Sequence, residues 1–247
     1  MFLLPNNYLE VKKTPKMGRG VFALQDIAAG TIIGDYLGII VPEKDEEKYD
    51  NKGHFYLMYY HDRASIYPDT KTPGVHTINH SCSPNVWMYT YKGHTLYFAI
   101  RYIFKGEELT VSYLLSQQDK DCKPCNHLCL CGSTACTGTM HMSKAKYDKW
   151  YAITKKEENG TKRQRVSFGK TLPFLSSYPK EIRDNVFYTL FGSIKVKPKV
   201  IRNTKLPAIN DIRMLIRNTG RTLVFPRLNV HILGVSDGII ISQQLRK

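Results

Sequence analysis

The sequence predicts a mostly β fold over its first 115 residues, followed by a smaller α+β region. Short segments rich in Val, Ile, Tyr and Phe alternate with Gly, Pro, Asp and Asn, the pattern of strands separated by turns. Helical periodicity is weak there and becomes clear only after residue 175. A chain of 247 residues is long enough for one large domain or two small ones.

The predicted strands of the first part are, in chain order, GVFAL at 20–24, TIIGDYLGIIV at 31–41, FYLMYY at 55–60, TLYFAI at 95–100 and ELTVSYLL at 108–115. Between them, only the polar stretch PEKDEEKYDN at 42–51 has helical character. Residues 117–140 form a cysteine-rich connector.

The last hundred residues predict two helices and a group of strands. The helices are expected at 176–192 and 207–220, each with apolar residues at helical spacing and a terminal glycine. Strands are expected within 222–242, with Asp237-Gly238 as a turn. The charged run at 155–165 is expected to be an exposed linker.

Charge divides the chain in two. Residues 1–140 hold 14 basic and 14 acidic residues, so the whole net charge of +15 lies in residues 141–247. Such a basic region is typical of a protein that contacts nucleic acid or another polyanion, and a merely solvated basic face is the alternative.

The composition argues against a membrane or secreted protein. Apolar runs are far shorter than the roughly 20 residues of a membrane span, and the start MFLLPNN lacks the features of a signal peptide. An intracellular protein is therefore expected, in which six cysteines are metal ligands or free thiols rather than disulfides.

Three of those cysteines, Cys129, Cys131 and Cys136, form a C-x-C-x4-C pattern. Structural zinc is tetrahedral and requires a fourth thiolate or imidazole. Spacing alone leaves that ligand open between the nearby CxxC of Cys122 and Cys125 and the distant Cys82. The CxxC and His127 have no assigned role. The two cysteines are spare thiols, or they help to hold the same metal, or they bind a second ion with partners that the sequence does not identify.

Four motifs stand in order along the first half: GRG at 18–20, GDYLG at 34–38, HTINHSCSPN at 76–85 and KGEELTVSY at 105–113. Together with the C-x-C-x4-C pattern, this set resembles the SET-domain protein lysine methyltransferases that carry a cysteine-rich post-SET segment. The resemblance covers roughly residues 7–140. It implies a SET fold of small antiparallel sheets around a threaded segment, with the SET domain at 1–116 and a post-SET zinc segment at 117–140. It says nothing about residues 141–247, which charge and periodicity alone predict to be a basic α+β domain.

The resemblance also implies two cofactors, S-adenosyl-L-methionine and zinc. For zinc, it favours the distant fourth ligand, with the site formed by Cys82, Cys129, Cys131 and Cys136. For the methyl donor, it implies contacts from the backbone of Met17, Arg19 and Gly20, from Asn79 and His80, and from Leu130 against the adenine ring. Tyr113 matches the catalytic tyrosine, and Tyr36 matches a tyrosine that lines the lysine channel.

A lysine accepts a methyl group only as the neutral amine, and its usual pKa is near 10.4. An aromatic channel lowers that pKa by desolvation. Tyrosines suited to such a channel are Tyr36, Tyr56, Tyr59, Tyr60, Tyr67 and Tyr113. Two positions depart from the common family pattern, Val111 and Ser112, and Tyr89 is one candidate to fill the space beside Val111. The number of methyl groups transferred stays open.

The resulting hypothesis is a protein-lysine N-methyltransferase acting on a histone or another nucleic-acid-associated protein. The basic half would contact DNA or nucleosomes, and the expected location is nuclear or chromatin-associated, or delivered there from a virus or bacterium. No membrane partner is expected. The active site is expected to lie in the neutral half, and the alternative is a C-terminal region that packs against the zinc segment and builds part of the channel. The rival is a catalytically silent SET module that binds nucleic acid or chromatin.

Overall fold

We describe the protein from a computed structural model, which covers residues 1–49, 56–61, 63–116, 122, 125, 127–160 and 166–179. It also describes the strand backbone at 199–200, 223–225, 230–235 and 238–243. The helix predicted at 207–220 lies outside these residues. So does the helix predicted at 176–192, apart from residues 176–179, which are not helical.

Three small sheets form the first part of the protein. The first sheet has the order β1 (Leu9–Lys13), β2 (Arg19–Ala23), β10 (Glu108–Val111) and β7 (Asn79–His80). The second has the order β3 (Ile32–Asp35), β9 (His94–Ala99) and β8 (Val86–Tyr91). The third has the order β4 (Ile39–Pro42), β6 (Ala64–Tyr67) and β5 (Met58–His61). Short 3-10 helices occupy Glu43–Tyr49 and Val75–Thr77.

The C-terminal strands form a separate sheet in the order β11 (Lys199–Val200), β12 (Leu223–Phe225), β13 (Val230–Val235) and β14 (Gly238–Gln243). β13 and β14 pair antiparallel from Val230↔Gln243 to Val235↔Gly238. The strands predicted within 222–242 are therefore confirmed.

The predicted strands of the first part are also confirmed, but 31–41 contains two strands rather than one. Between β3 and β4 the chain passes close to the end of β6, where a Cβ on Gly38 would overlap the backbone oxygen of Tyr67. Four strands had no clear sequence signal: β1, β6, β7 and β8. β7 has only two residues, too few for periodicity to detect.

That two-residue strand positions the motif at 76–85. β7 pairs parallel with β10, with Asn79 opposite Thr110 and His80 opposite Val111. The other pairs of the three sheets are antiparallel. The parallel pair therefore brings residues about thirty positions apart to the same place in the structure.

The main hydrophobic core lies between the sheets and reaches well beyond residue 140. Leu172 is 1% exposed and belongs to the same core cluster as Val21, Ile66 and Leu109. Its segment runs beside β4, with an antiparallel bridge between Ile39 and Thr171. A second cluster surrounds Trp87 on the sheet of β3, β9 and β8.

Helix α1 (Lys144–Gly160) corrects one prediction. The run at 155–165 was expected to be a linker, yet residues 155–160 are helical, and 161–165 lie outside the described residues. Ser143 caps the helix, since its Oγ accepts a hydrogen bond from Lys146 N at 3.4 Å. Lys and Glu favour helices, so their charge indicates exposure but not loop structure. No helix in the described part of the chain has the length and apolarity that crossing a bilayer requires.

Candidate active site and metal centres

A cleft of about 1040 Å³ opens where the first sheet meets the connector and α1. Its floor comes from the ends of β3, β7 and β10 and from the turn before β2. Its roof comes from the connector and from α1. The sequence-predicted residues that line it are Met17, Arg19, Tyr36, Tyr56, Tyr59, Asn79, His80, Tyr113 and Leu130.

Tyr113 lines this cleft and follows β10 by two residues. Its hydroxyl donates a 3.1 Å hydrogen bond to the backbone oxygen of Ile78, and its backbone N–H donates to Nδ1 of His80 at 3.1 Å. The residue is 38% exposed, through the open cleft. Desolvation, followed by the nearby Tyr56, raises the pKa of Tyr113 well above its usual value, so the hydroxyl stays protonated at neutral pH.

Tyr36 and Tyr97 form the aromatic end of the cleft. Both are buried, and their rings stack with centroids 6.1 Å apart. The Tyr36 hydroxyl donates a hydrogen bond to the backbone oxygen of Tyr56. Burial raises the pKa of Tyr36 and of Tyr97 well above the usual value, so both hydroxyls are neutral donors.

Asn79 lies at the other end, over Gly20. Its Nδ2 donates a 2.8 Å hydrogen bond to Oε1 of Glu108, which leaves the amide oxygen as an acceptor. A Cβ on Gly20 would overlap Glu108 Oε1 and lie 2.9 Å from Asn79 Nδ2. Gly20 therefore does not line the cleft; it makes room beneath the Asn79–Glu108 pair.

His80 joins the cleft to the neighbouring cysteines. It is 6% exposed, and its Nε2 lies 3.7 Å from Sγ of Cys82. Burial lowers its pKa to about 4, so the ring is neutral. Its contacts with the Tyr113 backbone and with Cys82 place it between the end of β10 and the cysteine cluster.

Three tyrosines expected near the amine lie elsewhere. Tyr60 is in the core at 2% exposure, and Tyr67 packs against Tyr49. Tyr89 packs against Phe98 in the second cluster, so it does not fill the space beside Val111. Val111 itself is buried in the main core at 1% exposure.

The sequence analysis did not assign several residues that line the cleft, among them Met88, Tyr97, Tyr147, Trp150 and Tyr151. The last three belong to α1, so part of the lining of the cleft comes from beyond residue 140, as the alternative to a site within residues 1–140 expects. The aromatic spacing i, i+3, i+4 on α1 was a usable signal. Met88 and Tyr97 gave none, since they lie in strands far from the motifs.

Two clusters of metal-ligand side chains lie beside the cleft. In each, the four ligand atoms lie within 4.8 Å of one another. The first consists of Cys82, Cys129, Cys131 and Cys136, with the sulfurs of Cys82 and Cys129 3.6 Å apart. A tetrahedral zinc with Zn–S bonds of about 2.3 Å places its sulfurs about 3.8 Å apart, so this set fits the metal. Cys122 and Cys125 are not in this cluster, which argues against the local alternative; they belong to the second, with His127 and His141.

Residues 18–114 match the SET domain family. This chain contains a SET domain. The mostly β fold with small antiparallel sheets is the one that the resemblance implied, and the matched residues run from the turn before β2 to just past Tyr113.

Curated relatives of the SET domain extend the match. "Histone-lysine N-methyltransferase 2B" of Homo sapiens is 35% identical over 129 residues, covering 48% of this chain and 5% of that protein. "Histone-lysine N-methyltransferase, H3 lysine-36 specific" of Schizosaccharomyces pombe is 31% identical over 140 residues, covering 53% of this chain and 17% of that protein. The matched region is thus about half of this chain and less than a fifth of either relative.

A solved structure titled "Structural basis for the product specificity of histone lysine methyltransferases" aligns over 53% of this chain and 55% of that chain. The identity is 24% and the TM-score 0.43, a likeness too weak to carry an argument.

Proposed function

We propose that this protein is an S-adenosyl-L-methionine-dependent protein-lysine N-methyltransferase. The observation that carries the proposal is the position of Tyr113 in the SET domain. Its hydroxyl bonds to Ile78 O, next to Asn79, and lies close enough to the buried Tyr36 and Tyr97 to act on both electrostatically. The Tyr113 hydroxyl thus lies between two parts of the cleft: an aromatic part suited to an amine and a polar part suited to a charged cofactor.

The polar end fits the methyl donor. The Asn79 amide oxygen is an acceptor for an ammonium group, and Glu108 fixes the orientation of that amide through the 2.8 Å hydrogen bond. The backbone of Met17 and Arg19 lines the same cleft, and Leu130, 51% exposed, offers an apolar surface for a flat ring. When bound, S-adenosyl-L-methionine would supply a methyl group on a sulfonium: the amine nitrogen would form the new N–C bond as the S–C bond breaks, and the thioether would be the leaving group.

The aromatic end prepares the amine. Desolvation among Tyr36, Tyr56, Tyr97 and Tyr113 lowers the pKa of an inserted lysine, because the charged form loses its hydration. The Tyr113 hydroxyl donates its one hydrogen to Ile78 O, so its oxygen accepts a hydrogen bond from the amine N–H and orients the nitrogen while the lone pair stays free. Fixing the nucleophile in line is the chain's main contribution to the rate, since the donor carries its own reactivity.

In this proposal, Cys82, Cys129, Cys131 and Cys136 hold a structural zinc. The metal ties the connector to the motif at 76–85 and so keeps Leu130 over the cleft. Structural zinc also contributes folding free energy directly, so its loss should loosen this part of the roof.

For the substrate, we propose a histone or another protein associated with nucleic acid, because the curated relatives are named as histone-lysine methyltransferases. Residues 1–116 and 117–140 act as the SET and post-SET parts, and the basic region 141–247 contacts DNA or nucleosomes. A nuclear or chromatin-associated location follows from such a substrate.

The test is transfer of labelled methyl from S-adenosyl-L-methionine to a panel of histones and cell proteins. We expect incorporation into lysine, and Tyr113→Phe should lose most of it while keeping folding and cofactor affinity, because only a hydroxyl is removed. Tyr102→Phe is the matched control: its hydroxyl bonds Asp26 outside the cleft at 2.9 Å, so activity should be unchanged.

No transfer to any protein would instead support the rival, a silent module that binds nucleic acid or chromatin. Transfer at the parental rate by Tyr113→Phe would show that the reaction does not depend on the assigned hydroxyl.

A further inference from the structure

We propose that the protein holds a second zinc ion, bound by Cys122, Cys125, His127 and His141. The sequence offered only the CxxC and a nearby histidine. The fold adds the fourth side chain, His141, from fourteen residues further along the chain. Two thiolates and two imidazoles are a complete ligand set for structural zinc.

The distances between the candidate ligand atoms match a tetrahedron. Sγ of Cys122 lies 3.3 Å from Nδ1 of His127 and 3.4 Å from Nε2 of His141. Sγ of Cys125 lies 3.7 Å and 3.5 Å from the same two nitrogens, which are themselves 3.1 Å apart. Zinc bond lengths of about 2.3 Å to sulfur and about 2.0 Å to nitrogen give tetrahedral edges of about 3.5 Å (S–N) and about 3.3 Å (N–N).

The tautomer of His141 supports metal binding over a simple hydrogen-bonded cluster. Its Nδ1 lies 2.7 Å from the backbone oxygen of Ser116, and a carbonyl oxygen only accepts, so Nδ1 carries the hydrogen. In the neutral ring, Nε2 then presents its lone pair to the two sulfurs and to His127. A ligand histidine oriented by a carbonyl on its other nitrogen is the usual arrangement at zinc.

The second cluster lies where three parts of the chain meet. His141 forms a parallel bridge with Leu115 just after β10, and Leu128 forms an antiparallel bridge with Thr139. Met140 N donates to His127 O at 2.9 Å. A metal here would fix the base of the connector hairpin, whereas the Cys82 cluster fixes its tip.

The consequence is a roof held at two points. Leu128 and Met140 line the cleft beside the second cluster, and α1 begins three residues after His141. A zinc at this position would therefore set where Tyr147 and Trp150 stand over the cleft. The metal binds through side chains alone and takes no part in methyl transfer. Zinc binding at this site can therefore be tested independently of methyltransferase activity.

The experiment measures zinc per chain in the purified full-length protein. We expect two ions for the parent. Cys122→Ser and Cys82→Ser should each retain one, and the double variant none. X-ray absorption on Cys82→Ser should show two sulfur and two nitrogen neighbours around the retained zinc. His61→Gln, which changes a β5 histidine outside both clusters, should keep two.

A conservative variant distinguishes loss of a zinc ligand from loss of folding. His141→Cys supplies another ligand, so it should keep two ions, and the retained second ion should gain one sulfur neighbour; His141→Ala should lose that ion. One zinc in the parent that Cys122→Ser leaves unchanged would overturn the proposal. Thiol titration of the unfolded, unreduced protein should find all six cysteines free. A count of four would also overturn the proposal, since it indicates a disulfide between Cys122 and Cys125.

Discussion

Gly20→Ala tests the polar end of the cleft with a single methyl group. The added Cβ would overlap Glu108 Oε1 and lie 2.7 Å from Thr14 Cγ2 and 2.9 Å from Asn79 Nδ2. Carbon contacts are comfortable at about 3.5 Å or more, so Asn79 must move by about half an ångström and Glu108 by more. Because the two shifts differ in size, we expect them to break the 2.8 Å hydrogen bond between these side chains.

The expected loss follows from that hydrogen bond. Without Glu108, the Asn79 amide is no longer oriented for the ammonium of the donor, and a hydrogen bond to a charged group contributes about 1.5–3 kcal/mol. We therefore expect the Kd for S-adenosyl-L-methionine to rise about 10- to 100-fold, measured by titration calorimetry. Overpacking should also cost the protein about 1–3 kcal/mol of unfolding free energy.

Gly106→Ala separates these two effects. It also adds a methyl group to a glycine, but no atom lies within 4 Å of the new Cβ, and its φ of +82° makes the change cost backbone strain alone. Its stability should fall while its Kd stays at the parental value. If folded Gly20→Ala binds the donor within twofold of the parent, the assigned role of Asn79 and Glu108 is wrong.

Three further results are expected. Leu172→Ala should cost about 2–5 kcal/mol of unfolding free energy, because the side chain is 1% exposed in the main core; Phe174→Ala, 67% exposed, should change it by less than about 0.5 kcal/mol. Burial lowers the pKa of His76 from 6.5 to about 4. As the pH falls from 6.5 to 4, this histidine therefore becomes protonated in the unfolded chain but stays neutral in the folded chain, which lowers the free energy of unfolding. The Tm should drop across that window, less steeply in His76→Gln; equal slopes would contradict the burial argument. If the basic region makes roughly 4–8 phosphate contacts, log K for DNA against log salt should have a slope of about −4 to −7, and salt-insensitive binding would leave only a solvated face.

The predictions that the structure confirms rest on patterns within short stretches of sequence. The strands of the first part were readable because period-2 alternation and turn residues act within a few positions. The C-x-C-x4-C pattern and the motif at 76–85 were readable for the same reason. What failed was the run at 155–165, where charge indicated exposure and was mistaken for loop structure; α1 extends to Gly160.

The sequence by itself determined which residue types were available for chemistry: Tyr113 closing its motif, Asn79 and His80 side by side, and three cysteines at ligand spacing. Only the tertiary structure decided which of them meet. The parallel pairing of β7 with β10 brings Asn79 to Tyr113, and the hairpin of the connector brings His141 to Cys122. Leu172 and the aromatic face of α1 join the core and the cleft from beyond residue 140. Sequence patterns do not predict these contacts, because each contact joins segments that are far apart in the chain. The local spacing of residues in one segment carries no information about which other segment packs against it.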